Sequence, residues 1–88
     1  MILTDTEQLC QRLQLAAMRS TSVILMVEYA GHVDTLSVTG YPAGTDFMKP
    51  VEDWPTRLLY TYVNLDADEA YGQLVAIIDE LTNMGVEV

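Results

Sequence analysis

Near the start of the chain, hydrophobic residues recur at the spacing of one helix face. They are Leu9, Cys10, Leu13, Ala16 and Ala17. Thr4 and Glu7 form the Thr-x-x-Glu capping box, in which each side chain satisfies a free main-chain N–H at the start of a helix. We therefore expect a helix that begins at Asp5 and ends near Arg19, with one buried face.

Three later segments have the composition of β-strands. SVILMVEYA at 22–30 is rich in β-branched and apolar residues, and HVDTLSVTGY at 32–41 alternates apolar with hydroxyl side chains. The Ala-Gly pair at 30–31 predicts a tight turn that joins these two segments in a hairpin. RLLYTYVNL at 57–65 predicts a third strand, again built from residues that suit a pleated surface.

A second helix is predicted near the end of the chain. Asp66 is the expected N-cap, with Glu69 three residues later, and Gly85 is the expected residue after the helix end. The buried face comprises Ala70, Leu74, Ile77, Ile78 and Leu81. Residues 1–88 are thus expected to form a single α+β domain of order α-β-β-β-α, with a three-stranded antiparallel sheet covered on one face by two helices.

Two helices can cover only one face of such a sheet. If Leu36 and Val38 point inward, the second strand shows Thr35, Ser37 and Thr39 on the other face. To that outer face the first strand adds either Ile24, Met26 and Glu28 or Val23, Leu25, Val27 and Tyr29, and the third adds either Leu58, Tyr60 and Tyr62 or Leu59, Thr61 and Val63. Every combination gives a mixed apolar, hydroxyl and aromatic face, which suits a contact surface.

The connection between the second and third strands collects rare residues. The stretch 44–57 contains the only Phe, Trp and Lys of the chain and two of its three prolines. Connections of about fifteen residues are uncommon in small domains, and they are usually self-packed or functional. Two placements are open: Phe47 and Trp54 pack back to close the end of the core, or they project as anchors for a partner.

The overall composition mainly excludes particular features, namely an internal disulfide, a secretory signal and a membrane span. Half of the residues are hydrophobic, as in ordinary globular proteins, and the single Cys10 cannot form an internal disulfide. The start MILTDTEQL lacks the pattern of a secretory signal, and the longest apolar run, VILMV at 23–27, is far shorter than a membrane span. We expect a cytoplasmic protein that does not bind membranes and carries no cofactor.

Charge is distributed unevenly. The formal net charge is −9; residues 58–88 contain six acidic and no basic residues, whereas residues 1–57 contain seven acidic and four basic residues. Binding to nucleic acid or to anionic lipid needs clustered Lys and Arg, so neither is expected. The order of elements is shared with double-stranded RNA-binding domains, whose last helix begins with basic residues, but here Asp-Ala-Asp-Glu at 66–69 inverts that chemistry.

No set of residues predicts catalysis. His32 lies in the expected hairpin turn and Cys10 on a buried helix face, and neither has an evident base or nucleophile as partner. Asp66, Asp68 and Glu69 could share a hard cation, but the calcium-loop spacing is missing, and acidic residues at a helix start are stabilised by the helix dipole. We therefore expect no enzyme, and a metal-assisted hydrolase at this cluster is the weakest of three hypotheses.

The first hypothesis is a small acidic protein-binding module that inhibits or modulates a basic protein that handles nucleic acid. In size and charge the chain resembles small regulatory proteins of phages and mobile elements. Charge would speed and orient docking, and aromatic side chains would supply affinity. The expected partner-binding residues are Phe47, Trp54, Tyr60, Tyr62, Asp68, Glu69, Asp79 and Glu80. The second hypothesis is a structural homo-oligomer, such as a homodimer, that pairs through the open sheet face.

Overall fold

The computed structural model describes residues 2–88 and has the predicted order α-β-β-β-α. The elements are α1 (Asp5–Arg19), β1 (Val23–Ala30), β2 (Thr35–Pro42), β3 (Leu59–Asn64) and α2 (Ala70–Asn83), with a short 3₁₀ helix at Val51–Asp53 between β2 and β3. The strands form one open antiparallel sheet in the order β1-β2-β3. The predicted α+β class and topology are therefore confirmed.

Helix α1 begins and ends where the sequence predicts. Glu7 N–H donates to Thr4 Oγ1 at 3.1 Å, and Thr4 N–H donates to Glu7 Oε1 at 2.8 Å, so both halves of the capping box are formed. The face toward the sheet buries Leu9, Leu13 and Ala16, and half-buried Cys10 and Ala17 pack at the margin of the core. The helix is thus fixed at its start by local hydrogen bonds and along its length by apolar burial.

The turn between β1 and β2 differs from the prediction. The expected tight turn at 30–31 is wrong, since the strands are joined by the four residues 31–34, and it is Asp34 that has a positive φ, of 49°. Aspartate tolerates this left-handed conformation because its short side chain can form local hydrogen bonds. Here its Oδ1 accepts a hydrogen bond from the Tyr29 hydroxyl at 2.7 Å, which ties the turn to β1.

The core lies between the inner face of the sheet and the two helices. Leu36 and Val38 point inward, as predicted, and the most deeply buried side chains are Leu13, Leu36, Leu74, Leu81, Val38 and Val63. On the same face, Gly40 is buried, and a Cβ placed there would lie 3.3 Å from Val23 Cγ1. A glycine at this position therefore lets the ends of β1 and β2 pack closely beneath the helices.

Strand β3 is shorter at both ends than the predicted segment 57–65. Leu58 N–H donates to the Gly40 carbonyl at 2.8 Å, and Leu65 N–H donates to the Asp34 carbonyl, also at 2.8 Å. These single main-chain bonds attach the chain to β2 just outside the regular strand. The strand itself covers only the six residues between them.

The predicted N-cap of α2 is wrong. The helix begins at Ala70, with Glu69 as N-cap and without a side-chain cap, so Asp66 lies four residues before the first helical residue. Leu65 is still bonded to the carbonyl of Asp34 at the end of the sheet, and the chain must first reverse through turns before a helix can lie across the inner face. Acidic residues suit such turns as well as helix starts, which is why the local pattern misplaced the boundary.

The buried face and the end of α2 are as predicted. Its buried residues are Ala70, Leu74, Ile77, Ile78 and Leu81. After the C-cap Met84, Gly85 has a φ of +89°, and its N–H and that of Val86 donate to Thr82 and Leu81 carbonyls, each at 3.0 Å. This is the pattern of a Schellman motif. Val86 is only 3% exposed and belongs to the core, so the motif also directs the chain back onto it.

Candidate functional site

The outer face of the sheet is assigned by the strand register. Met26 lies opposite Thr39, which lies opposite Tyr60. Because directly opposed residues point to the same face, and Thr39 points away from inward Val38, β1 shows its even-numbered residues outward. The outward set Ile24, Met26 and Glu28 is therefore correct for β1. Tyr60 and Tyr62 are correct for β3, whereas Leu58 of that set lies before the strand. The outer-face residues are Ile24, Met26, Glu28, Ala30, Thr35, Ser37, Thr39, Tyr41, Tyr60, Tyr62 and Asn64.

These side chains form rows across the sheet. One row is Met26, Thr39 and Tyr60, the next is Glu28, Ser37 and Tyr62, and the last is Ala30, Thr35 and Asn64. Neighbouring strands are about 4.8 Å apart, and residues two positions along a strand are about 7 Å apart. In the last row the Thr35 hydroxyl donates to Asn64 Oδ1 at 2.9 Å. The outer face is thus a regular surface whose polarity changes from apolar and aromatic to hydroxyl and amide.

The two tyrosines of β3 are the most prominent aromatic groups on this face. Tyr60 is 58% exposed and Tyr62 is 62% exposed. The guanidinium carbon of Arg57 lies 4.1 Å from the centroid of the Tyr60 ring, a cation–π contact that covers part of that ring. Among residues 2–88, no basic side chain lies over the ring of Tyr62, which therefore offers a flat apolar surface with a hydroxyl at its tip.

The connection between β2 and β3 packs on the other end of the outer face. The rings of Tyr41, Phe47 and Trp54 contact one another edge to face, with centroids 4.9–5.7 Å apart. Tyr41 lies opposite Ile24, so it belongs to the outer face, and it is buried although it is not part of the main core. The indole Nε1 of Trp54 donates to the Lys49 carbonyl at 2.9 Å.

The rare aromatic residues of this connection lie on the outer face of the sheet. Phe47 and Trp54 pack on each other and on the sheet, as expected of a self-packed connection, but against Tyr41 on the outer face and not at the end of the main core. Both side chains stay half-buried, so each keeps an accessible surface. Their role in binding a partner remains a prediction.

The acidic residues expected to bind a partner are divided between two places. Glu80 lies with Tyr62 along a groove of about 230 Å³ at the open edge of β3, and Asp79 is exposed beside it on α2. The groove is lined by Thr61, Tyr62, Gln73, Ala76, Ile77 and Glu80. Asp68 and Glu69 are exposed in the turns before α2, about 16 Å from Glu80 along the helix direction. The structure therefore brings together Tyr62 and Glu80, but not the whole predicted set.

A larger groove, of about 680 Å³, runs between α1 and the segment after α2. It is lined by Arg12 and Arg19, two of the four basic residues, and Arg12 Nη2 donates to the Val88 main-chain oxygen at 3.0 Å. Sequence reasoning missed this groove, although the seven-residue spacing of the arginines on α1 places them on one side of the helix. Glu87 lines it too, so its charge is mixed.

The candidate reactive groups lie apart from these surfaces. Asp66, Asp68 and Glu69 are exposed in turns, and no three His, Cys, Asp or Glu side chains among residues 2–88 are grouped so that they could hold a metal ion. Burial raises the pKa of the Cys10 thiol, and the nearby Glu7 carboxylate raises it further. Both effects disfavour the thiolate, which is the nucleophilic form of cysteine.

The site supported by geometry is thus the outer sheet face around Tyr60 and Tyr62, with the adjoining groove at Glu80. No helix in the described chain, residues 2–88, has the length and apolar character needed to cross a membrane. Comparison of the chain with models of protein families, with curated proteins and with solved structures finds no match.

Proposed function

We propose that this chain is a small acidic protein-binding module that inhibits or modulates a basic protein that handles nucleic acid. The observation that carries the proposal is the position of two exposed tyrosines, Tyr60 and Tyr62, at the edge of the uncovered sheet face, beside the most acidic part of the chain. Exposed aromatic rings supply binding energy at interfaces, and a field of one sign selects partners of the opposite charge.

The charge argument rests on which elements lie together. Strand β3 and helix α2 both belong to residues 58–88, which contain six acidic and no basic residues, and α2 packs against β3. The negative field is therefore stronger on α2 beside β3, where Arg57 over the Tyr60 ring offsets part of it, than around α1, which carries Arg12 and Arg19. A protein that binds phosphate groups presents clustered Lys and Arg, and this surface complements such a cluster.

The affinity argument rests on the composition of the outer face. Met26 and the tyrosines of β3 alternate with hydroxyl side chains, and tyrosine and methionine are enriched in protein interfaces. A tyrosine ring loses little conformational entropy on binding because it has only two side-chain torsions. The face thus combines apolar contact area with hydrogen-bonding groups that stay satisfied in water before a partner docks.

A pair of charge reversals tests the proposal on a partner captured at low salt from the native host. Glu80→Lys should slow association by about tenfold or more at low ionic strength, because Glu80 lies beside Tyr62. The matched variant Glu87→Lys makes the same change in net charge, but in the groove beside α1, and should slow association less. Stopped-flow mixing measures both rates.

The difference between the two variants should shrink at about 1 M salt, where the Debye length falls to about 3 Å. Equal association rates for Glu80→Lys and Glu87→Lys at low salt would show that charge at the β3 side does not steer docking. If the association rate of the parent protein did not change with salt concentration, electrostatic steering would be contradicted altogether.

A structural homo-oligomer is the second candidate. Its support is the outer face itself, since Ile24, Met26 and the tyrosines of β3 could pack against the same face of a second copy across a two-fold axis. The net charge of −9 opposes this association, because like charges repel in the assembled state. A dimer mass that persists at low concentration, and is lost in Met26→Asp, would favour this candidate over the first.

A further inference from the structure

The hydrogen-bonding direction of β3 follows from one bond at its end. Leu65 N–H donates to the Asp34 carbonyl at 2.8 Å, and these two residues are opposite each other in the continued β2–β3 register. In an antiparallel ladder, bonded and non-bonded pairs alternate. The residues of β3 bonded to β2 are therefore Leu59, Thr61 and Val63, and those whose N–H and C=O point away from β2 are Tyr60, Tyr62 and Asn64.

The main-chain N–H and C=O groups of Tyr60 and Tyr62 and the N–H of Asn64 are open to a further strand, whereas the Asn64 carbonyl accepts a hydrogen bond from the Ala67 N–H at 3.1 Å. Within residues 2–88 the sheet order β1-β2-β3 places no strand beyond β3, and α2 packs on the inner face beside it. The sequence LYTYVN contains none of the proline or lysine residues that commonly protect an edge strand. An exposed row of N–H and C=O groups of this kind is a template for an incoming extended segment.

The charge along this edge determines what kind of segment fits. On the inner side of the edge, the groove between β3 and α2 carries the Glu80 carboxylate and the Gln73 amide. On the outer side lie the exposed rings of Tyr60 and Tyr62. Successive residues of an added strand point alternately to these two sides. Basic residues suit the side of Glu80, and apolar residues suit the side of the tyrosines.

The other edge of the sheet offers a different surface. Strand β1 is also unpaired on one side, and its groove with α1, of about 470 Å³, is lined by Gln14, Met18 and Glu28 among others. This groove is mainly apolar, since Leu25, Met26 and Val27 of the run VILMV line it and Glu28 is the one charged residue of its lining within residues 2–88. A basic segment is better matched to β3, where exposed Asp79 and Glu80 lie on the adjoining helix α2, although Arg57 over the Tyr60 ring offsets part of their charge.

We propose that the open edge of β3 binds an extended segment of the basic partner as a fourth, antiparallel strand, in which basic and apolar residues alternate. This inference rests on the proposed function and adds the mode of binding to it. The apolar residues of the segment lie opposite Tyr60, Tyr62 and Asn64; they exchange main-chain hydrogen bonds with the two tyrosines and accept one from the Asn64 N–H. The basic residues point to the α2 side, toward Glu80. We expect antiparallel and not parallel pairing, because antiparallel strands are slightly more stable per residue.

Synthetic peptides test the main-chain part of this proposal. The probe is a fluorescent peptide of alternating Lys and Val residues, compared with two forms that keep its charge. N-methylation of the Val residues removes the N–H groups that would bond β3, whereas N-methylation of the Lys residues removes those that point away. The Val-methylated peptide should bind at least about tenfold more weakly than the Lys-methylated peptide, as expected from the loss of several main-chain bonds.

Variants of the protein test the same main-chain hydrogen bonds by changing β3 in place of the peptide. Tyr62→Pro removes an N–H that β2 does not use, so the fold should tolerate it, as edge strands tolerate proline. Tyr62→Thr removes the ring but keeps the N–H. The proline variant should bind the Lys-Val peptide at least about tenfold more weakly than the threonine variant. If Tyr62→Pro fails to fold, slowed amide exchange at Asn64 of the parent protein on peptide binding provides the second readout.

The outcomes separate the two proposals. If both methylated peptides bind equally and Asn64 exchange is unchanged by the peptide, strand addition is overturned, while salt-dependent binding of all three peptides leaves the proposed function in place. If none of the peptides binds the parent protein at low salt, both proposals fail. Weaker binding of the Val-methylated peptide together with slowed exchange at Asn64 supports the fourth strand.

Discussion

At the scale of single residues, the start of α1 depends on two hydrogen bonds between Thr4 and Glu7. The Thr4 hydroxyl accepts the Glu7 N–H, and the Glu7 carboxylate accepts the Thr4 N–H. Thr4→Ala should therefore lower the free energy of unfolding by about 0.5–2 kcal/mol, as is typical for loss of an N-cap. Urea denaturation followed by circular dichroism measures this change.

Asp66→Ala is the matched control for this loss. Asp66 is exposed in the turns before α2 and caps no helix, so its replacement should change the free energy of unfolding by no more than about 0.5 kcal/mol. A loss as large as that of Thr4→Ala would mean that α2 begins at Ala67, three residues earlier than Ala70, with Asp66 as its cap.

At the scale of elements, the two glycines of the α2 region have opposite roles. Gly85 has a φ of +89°, which other residues adopt at a cost, whereas Gly72 lies inside the helix, and a Cβ at either position would meet no atom within 4 Å. Gly85→Ala should lower the free energy of unfolding by about 1 kcal/mol through backbone strain. Gly72→Ala should raise it by about 0.5–1 kcal/mol through helix propensity.

Thermal and urea denaturation of the two variants measure this difference in sign. The end of α2 matters beyond its own turn, since Val86, the residue after Gly85, is buried in the core. If Gly85→Ala were as stable as the parent protein, the Schellman motif would not be what fixes the end of α2.

At the scale of the whole molecule, apolar side chains are buried on both sides of the sheet. The main core lies on the inner face, and the cluster of Tyr41, Phe47 and Trp54 lies on the outer face. Trp54→Ala should lower the free energy of unfolding by about 1–2 kcal/mol, because two aromatic contacts and their buried area are lost. Denaturation of this variant shows how far the connection between β2 and β3 contributes to the stability of the molecule.

Met48→Ala is the matched change in the same connection. Met48 is 94% exposed, so its truncation should change the free energy of unfolding by no more than about 0.5 kcal/mol. If Trp54→Ala proved as stable as Met48→Ala but dissociated faster from a captured partner, Trp54 would act as a binding anchor and not as part of the folded cluster.

The sequence by itself determined the features that depend on neighbours a few residues apart. The capping box at Thr4, the buried face of α2 and the role of Gly85 each follow from spacing and residue type, and each is found in the structure. The same holds for the inward side of β2, because alternation along one strand indicates which residues share a face.

Only the tertiary structure decided which residues of different elements meet. The outer residues of β1 and β3 depend on register, which is a property of paired strands and not of either strand alone. The start of α2 at Ala70 depends on where the chain leaves the sheet, and the meeting of Tyr62 with Glu80 depends on how α2 packs against β3. These contacts join residues distant along the chain, so short patterns in the sequence carry too little information to fix them.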